Sequence, residues 1–359
     1  MSFFDSLFGR KHPPMIGLDI CASSVKLVEL GMSSGGDYVL EHFDAEPLEK
    51  GWVGDGQIEK FDEVVQAVRN LVDRSGSRTR LVAMAMPQSA VITKKIMLPA
   101  GLSDDEMELQ VESEANQYIP FSLDEVSLDF CVIGPSAASV GDVDVLIAAS
   151  RKERVLDRQA LAEAAGLTPQ VLDVESHAAR LAISRVVAGL PNEGHDALVA
   201  LFEIGADTMG LKVLRNDELL YDREQVFGGS VLTQQIARHY GLSLEEAEQK
   251  KVASDMPEDF EVAVLNPYIE TLTQEIGRAL QYFFTSTPHQ KVHYVMLSGG
   301  TATLPGLKDR VTALTGFAAV VVNPFERMQL GPGVREGRVR REASSYLIAC
   351  GLAMRRFLP

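Results

Sequence analysis

Apolar and polar positions alternate in two segments of this chain that share one layout. The first runs Ile16-Gly17-Leu18-Asp19-Ile20-Cys21, then Ala22-Ser23, then Ser24-Val25-Lys26-Leu27-Val28-Glu29-Leu30. The second runs Leu201-Phe202-Glu203-Ile204, then Gly205-Ala206-Asp207-Thr208, then Met209-Gly210-Leu211-Lys212-Val213-Leu214. Each predicts a β-hairpin with an acidic residue late in its first strand and a turn free of bulky side chains. Such turns let backbone N–H groups come close to a phosphate. The acidic residues, Asp19 and Glu203, are placed to hold a hydrated Mg²⁺. Two such hairpins facing each other would clamp the phosphates of one nucleotide between two halves of a protein. A third segment, Val295-Met296-Leu297-Ser298-Gly299-Gly300-Thr301, reads as a buried strand ending in a glycine pair, with a helix start marked by Pro305. A glycine pair at that point lets backbone lie flat against a base or sugar.

Between these landmarks the periodicity predicts a helix over Phe61–Val72 and strands over Leu81–Met86 and Ala90–Leu98. The texture changes at Pro99. Ser103 is a natural N-cap for an amphipathic helix through Met107, Leu109, Val111 and Ala115. Strands over Val126–Ile133 and Val143–Ala149 follow, then a helix over Lys152–Ala165 that ends at Gly166. Helix, two strands and helix read as an inserted α/β subdomain. Next, Val171–Ala179 is a strand running into a helix. Asp173 and Glu175 at that junction can face a nucleotide's metal or orient water, and Glu175 serves equally well as a helix cap. After Gly228-Gly229-Ser230, helices are predicted over Val231–Ala237 and Glu245–Lys251. The second places Glu248 and Lys251 on one face, by themselves a surface ion pair of little worth.

A length of 359 residues allows two or three domains. The net charge of −16 makes nucleic acid a poor partner. The basic cluster Arg335, Arg338, Arg340 and Arg341 reads as a solvated loop. Cys21, Cys131 and Cys350 lack metal-ligand spacing and point to a reducing compartment. With no secretory signal and no membrane-spanning apolar run, the expected location is cytoplasmic. The first twelve residues hold Phe3, Phe4, Leu7 and Phe8 beside Arg10 and Lys11, as a membrane-seeking or docking tail would. Burying those four side chains gains roughly 6–12 kcal/mol and ordering about eight residues costs on the order of 8–16 kcal/mol, so the tail does not anchor the protein alone.

The order of these motifs resembles the actin-like ATPase superfamily, and within it the PilM family of bacterial type IV pilus assembly, with the division protein FtsA more distant. The resemblance spans Met15 to Pro359. It rests on Gly17-Leu18-Asp19 with Ser23-Ser24-Val25-Lys26, and on Gln117-Tyr118-Ile119-Pro120-Phe121. Ala165-Gly166-Leu167 followed by Asp173-Val174-Glu175, Gly228-Gly229 and Ala247-Glu248 with Lys251 also carry it, as do Ser298-Gly299-Gly300 and Ala349-Cys350-Gly351-Leu352-Ala353. It implies an α/β actin-like fold: two large domains with mixed sheets flanked by helices around a nucleotide cleft, plus a small inserted subdomain. The implied boundaries are a tail at 1–14, a first domain at 15–98 and 168–196, and an insertion at 99–167. A second domain at 197–342 and a carboxyl-terminal helix at 343–359, returning to the first, complete them.

By the same resemblance ATP with Mg²⁺ is the expected cofactor. Asp19, Ser23, Ser24 and Lys26 would form the first phosphate loop, and Gly205, Ala206, Asp207 and Thr208 the second. Glu248 and Lys251 would border the sugar and base, Gly299, Gly300 and Thr301 would pack on the adenosine, and Gly228 would be a further cofactor-binding residue. Asp173 and Glu175 would stand near an attacking water, and Asp19 and Glu203 would hold the metal through water. The implied partner is the amino-terminal cytoplasmic peptide of PilN, gripped between first domain and insertion, with Tyr118, Phe121 and the helix from Ser103 as candidate contacts. Other pilus platform and motor proteins, peripheral inner-membrane association through partners, and a homodimer are compatible with it. One departure bears on turnover. The family usually carries Asp where this chain has Glu203. The extra methylene moves the carboxylate by about 1.5 Å, and a misplacement near 1 Å costs on the order of 100-fold in rate. A slow ATPase at most is expected. The alternatives are an FtsA-like filament former and a small-molecule kinase. The first usually ends in an amphipathic helix, whereas this chain closes on Ala353-Met354-Arg355-Arg356-Phe357-Leu358-Pro359. The second needs a further acidic cluster to supply a general base, and the sequence suggests none.

Overall fold

The computed structural model describes residues 13–54 and 56–358, and the expectations for the Phe-rich tail lie outside them. The chain opens with β1 (Ile16–Cys21), β2 (Ser24–Met32) and β3 (Tyr38–Pro47), a short ribbon of β4 (Val53–Gly54) and β5 (Gln57–Ile58), and α1 (Phe61–Ser75). Next come β6 (Leu81–Met86), β7 (Val91–Pro99), α2 (Asp104–Tyr118), β8 (Val126–Pro135), β9 (Asp142–Arg151) and α3 (Lys152–Ala164). The strand β10 (Thr168–Val174) and helix α4 (Glu175–Val187) lead into β11 (Val199–Ile204), β12 (Met209–Arg215) and β13 (Glu218–Gln225). The rest comprises α5 (Gly229–Tyr240), α6 (Leu244–Ala253), α7 (Asn266–Ser286), β14 (Tyr294–Ser298), α8 (Leu307–Thr315), β15 (Ala318–Val321), β16 (Gln329–Leu330), α9 (Glu336–Glu342) and α10 (Leu347–Met354).

The two large sheets repeat one topology. The first is ordered β10-β6-β1-β2-β3-β16 and the second β15-β14-β11-β12-β13. In each, an antiparallel meander (β1-β2-β3 or β11-β12-β13) is extended on the side of its first strand by two parallel strands. The hairpins seen in the sequence are therefore corresponding pieces of two similar halves. Each half has its own apolar core, and a further cluster joins them: Val28, Leu30 and Phe43 pack with Val199, Leu201, Met296 and residues of α4 and α10. Strands buried on both faces explain why Leu81–Met86 and Val199–Phe202 read as continuous apolar runs.

Three parts of the expected division are corrected by strand pairing and packing. β7, assigned from sequence to the first domain, pairs along its length with β9, so the small sheet is β7-β9-β8. α3, assigned to the insertion, buries Leu161 and Ala162 in the first domain's core beside α1. β16 pairs with β3, and Arg338 on α9 meets Asp44, so the chain rejoins the first domain before residue 343. The basic cluster expected as a loop thus lies at and within α9, where Arg338 also bonds Glu342 and covers the Phe43 ring. Non-local pairing of this kind leaves no mark on local periodicity.

The insertion's sheet packs one face on α2 through Ile96, Leu98, Val145 and Ile147. Ser103 caps α2 as expected, in a reciprocal box with Glu106. Met107, Val111 and Ala115 face inward at a spacing of four, whereas Leu109, expected among them, points outward and is 67% exposed.

Candidate functional site

Asp19 and Lys26 are directly opposite each other in the β1–β2 hairpin. Lys26 Nζ donates to Asp19 Oδ2 at 3.3 Å and to Cys21 Sγ at 3.1 Å. Burial alone would weaken the hold of Lys26 on its proton, but the Cys21 sulfur and the Asp19 carboxylate more than reverse this and raise its pKa. The turn itself is Ala22-Ser23, with Ser23 exposed and Ser24 half-buried at the start of β2.

The corresponding turn of β11–β12 is closed by Gly205 N donating to Thr208 O at 2.9 Å. It is seated on the N-terminus of α5: Gly229 N donates to Gly205 O and Ser230 N to Ala206 O. Those bonds use two of the N–H groups that a helix start leaves without intrahelical partners, and the helix dipole there favours anions. Thr301 Oγ1 supports the same turn by donating to Gly205 O at 3.2 Å. The Asp207 carboxylate accepts from Ser230 Oγ at 2.6 Å, so it is tied to α5 by that bond.

The glycines expected at the site have separate reasons. A Cβ on Gly228 would stand 2.4 Å from Ala206 O, so backbone packs directly on backbone beneath the second turn. Gly299 has φ of +91°, and a Cβ there would stand 2.3 Å from Ile204 O. At Gly300 a Cβ would meet nothing within 4 Å, which leaves open space over the turn. Beside it, Lys251 Nζ donates to Glu248 Oε2 at 2.6 Å and to Thr233 Oγ1 at 2.8 Å, and Thr233 also bonds Glu248. The pair that looked like a surface feature is a three-residue network next to Gly229.

Glu175 is the first residue of α4 and makes no capping bond; Val174 occupies the cap position. Its carboxyl is pushed up to about 7, first by burial, then by Asp19 and Glu203, against the opposing effects of Lys212 and Arg158. Asp173, expected beside an attacking water, instead binds Val174 N and faces His177 and Arg355. Residues missed from the sequence are Lys212, Arg158, Asp222 and Thr233. Arg158 is 3% exposed and donates to Gly56 O at 2.9 Å, with its charge felt at Glu175 and Asp19. Its signal was a charged residue on the apolar side of a helix, obscured by placing α3 in the wrong unit.

Glu175 carries a pH prediction. Its folded-state pKa lies above the ordinary 4.5, so between pH 4.5 and about 7 the folded chain keeps a proton that the unfolded chain has lost. The group's contribution is fully present below 4.5, falls as pH rises and is gone above the folded value. The span corresponds to about 3 kcal/mol. Unfolding free energies of wild type and Glu175→Gln, compared at pH 5 and pH 8, are expected to diverge by about 2–3 kcal/mol, with wild type relatively weaker at pH 8. A difference independent of pH contradicts the assignment.

Two small-residue turns and open space at Gly300 suit a nucleotide's phosphates and adenosine. The expected Mg²⁺ pair does not fit. Asp19 is held by Lys26, and Glu203 by Lys212.

A family model described as type IV pilus assembly protein PilM matches residues 17–357. A solved PilM-PilN type IV pilus biogenesis complex is similar over 97% of this chain and 100% of that chain, at 30% identity and a TM-score of 0.79. The ethanolamine utilization protein EutJ from Carboxydothermus hydrogenoformans is similar at 18% identity and a TM-score of 0.56, covering 95% of this chain and 89% of that one. A diol dehydratase-reactivating factor, solved in nucleotide-free form, reaches 10% identity and 0.52 over 95% and 99%. The last two share the fold alone, which is the α/β fold of the actin-like ATPases.

Proposed function

The chain belongs to the family of type IV pilus assembly proteins PilM, and from that premise we propose that it is an ATP-binding scaffold of the pilus inner-membrane platform. Its partner on this reading is the amino-terminal cytoplasmic tail of a PilN protein, held in the groove between the first domain and the insertion. The observation that carries the reading is the likeness, over nearly the whole chain, to a protein solved as a PilM-PilN complex. In the insertion, Tyr118 at the end of α2 is 45% exposed with Lys94 over its ring, and Arg151 covers Phe121, whose other contacts are with the insertion's own core. Aromatic residues with cationic neighbours suit an extended peptide with mixed apolar and acidic side chains. Among the described residues no helix is long and apolar enough to cross a membrane, so this reading has the membrane reached through the partner, from the cytoplasm.

The role given to ATP is to bias domain closure, since a ligand shifts an equilibrium only by its differential affinity for the two states. The insertion and the second domain meet at Lys95, 2.8 Å from Asp144 on β9 and 3.9 Å from Glu218 on β13. Closure has a physical route to the groove through that contact. Hydrolysis is slow on this reading because Glu203 is engaged by Lys212 and carries one methylene more than the family's Asp. Steady-state phosphate release is expected below about one per minute. Titration of a PilN amino-terminal peptide into ATP-loaded and nucleotide-free protein should give binding at least about fivefold tighter with ATP. Peptide binding in neither state removes the proposal.

A further inference from the structure

We propose that Lys212 and Lys26 together do in this cleft the charge-neutralising work of a metal ion, so that ATP is bound without need of Mg²⁺. The inference rests on the nucleotide-site reading above and deepens it. Lys212 is the second hairpin's counterpart of Lys26, displaced by one step of the strand pleat. In the first hairpin the acidic Asp19 stands opposite Lys26. In the second, Glu203 stands opposite Gly210, and Lys212 follows two residues later on the same face. Because Gly210 has no side chain, the lysine lies across it: its Nζ would be 3.5 Å from a Cβ placed there. It reaches Glu203 Oε2 in a charge-assisted hydrogen bond.

The setting of this ammonium is that of a site for a cation. Lys212 is 7% exposed, and the carboxylates facing it come from three elements: Glu203 on β11, Asp222 on β13 and Glu175 on α4. The charge of Asp19 also acts on Glu175, and Lys26 and Arg158 are the other cations of the group. A buried lysine is costly unless paired, so one enclosed by acidic groups next to the second turn has the chemistry of a permanent counter-ion. An arriving phosphate chain needs compensating positive charge, and Lys26 and Lys212 supply it from both sides of the cleft. Each also engages one oxygen of a carboxylate that would otherwise orient the water shell of a magnesium ion.

The test is ATP affinity of the full chain by calorimetry, in EDTA and in excess Mg²⁺. Wild-type affinity is expected to differ by less than about threefold between the two conditions, and Lys212→Met is expected to bind at least about tenfold more weakly than wild type in EDTA. Wild type that loses tenfold or more on removal of Mg²⁺ overturns the inference while leaving the nucleotide site standing. A Lys212→Met protein that binds like wild type in EDTA also overturns it. Absence of ATP binding in both conditions overturns the nucleotide site itself. The wild-type comparison decides the matter even if the lysine variant does not fold.

Discussion

Gly351→Ala is expected to cost this protein about 3 kcal/mol or more of stability, despite placing a better helix former within a helix. A Cβ at that position would stand 1.8 Å from Ala178 O and 2.5 Å from its carbonyl carbon, both backbone atoms of α4. No side-chain rotation relieves a clash with backbone, so α10 has to move away as a body. It has little freedom to do so, because its other side lies against β1, where Gly17 is equally constrained by Ala349 O. Ala349, Cys350, Leu352 and Ala353 are all fully buried around it. The displacement also reaches the cleft: Ser344, just before α10, accepts from Ser298 Oγ and Gly299 N through its carbonyl. A melting temperature lower by about 4 °C or more is the measurable result. An unchanged melting temperature contradicts this account of the closing Ala-Cys-Gly-Leu-Ala motif.

Lys26→Met is expected to weaken ATP binding by on the order of 100-fold or more, since a buried charge pair loses one partner and the phosphates lose a cation. Lys26 and Asp19 are both largely sequestered, with side-chain exposures of 12% and 8%. Removing the lysine leaves the Asp19 carboxylate buried without the ammonium it faces, so the variant is also expected to lose about 3–5 kcal/mol of stability. The double variant Lys26→Met/Asp19→Asn separates the two effects. It should recover much of the stability, because no lone charge remains, and recover none of the affinity. ATP affinity of Lys26→Met within threefold of wild type rules out a phosphate role for the first hairpin.

Much of the two hairpins was legible because their pairing is local. A hairpin with a turn of two or four residues writes its register into the alternation itself, so Asp19, Ser23, Ser24, Gly205 and Thr208 were placed by counting. The glycine pair at Gly299-Gly300 was legible for the same reason. What escaped were the residues whose neighbours come from elsewhere. Lys212 reads as one polar position in an alternating strand, and only Gly210 two residues before it and Glu203 diagonally across turn it into a buried cation. Arg158 shares the apolar side of its helix with Leu161 and Ala162, but what it meets there is fixed only when α3 is seated against the first domain. Glu175 was open between cap and cleft, and the backbone at Val174 excluded the cap.

The sequence by itself determined the two hairpins, the acidic residue on each, the capped helix that opens the insertion, and the family. These depend on contacts within a few residues, where period and turn chemistry are sufficient. Only the tertiary structure decided which sheet β7, β16 and α3 join, because strand pairing and helix docking are contacts between residues far apart in the chain. It decided, too, the state of the two acidic residues. Each ends in an ion pair with a lysine, through a register and a missing side chain that no spacing along the chain displays.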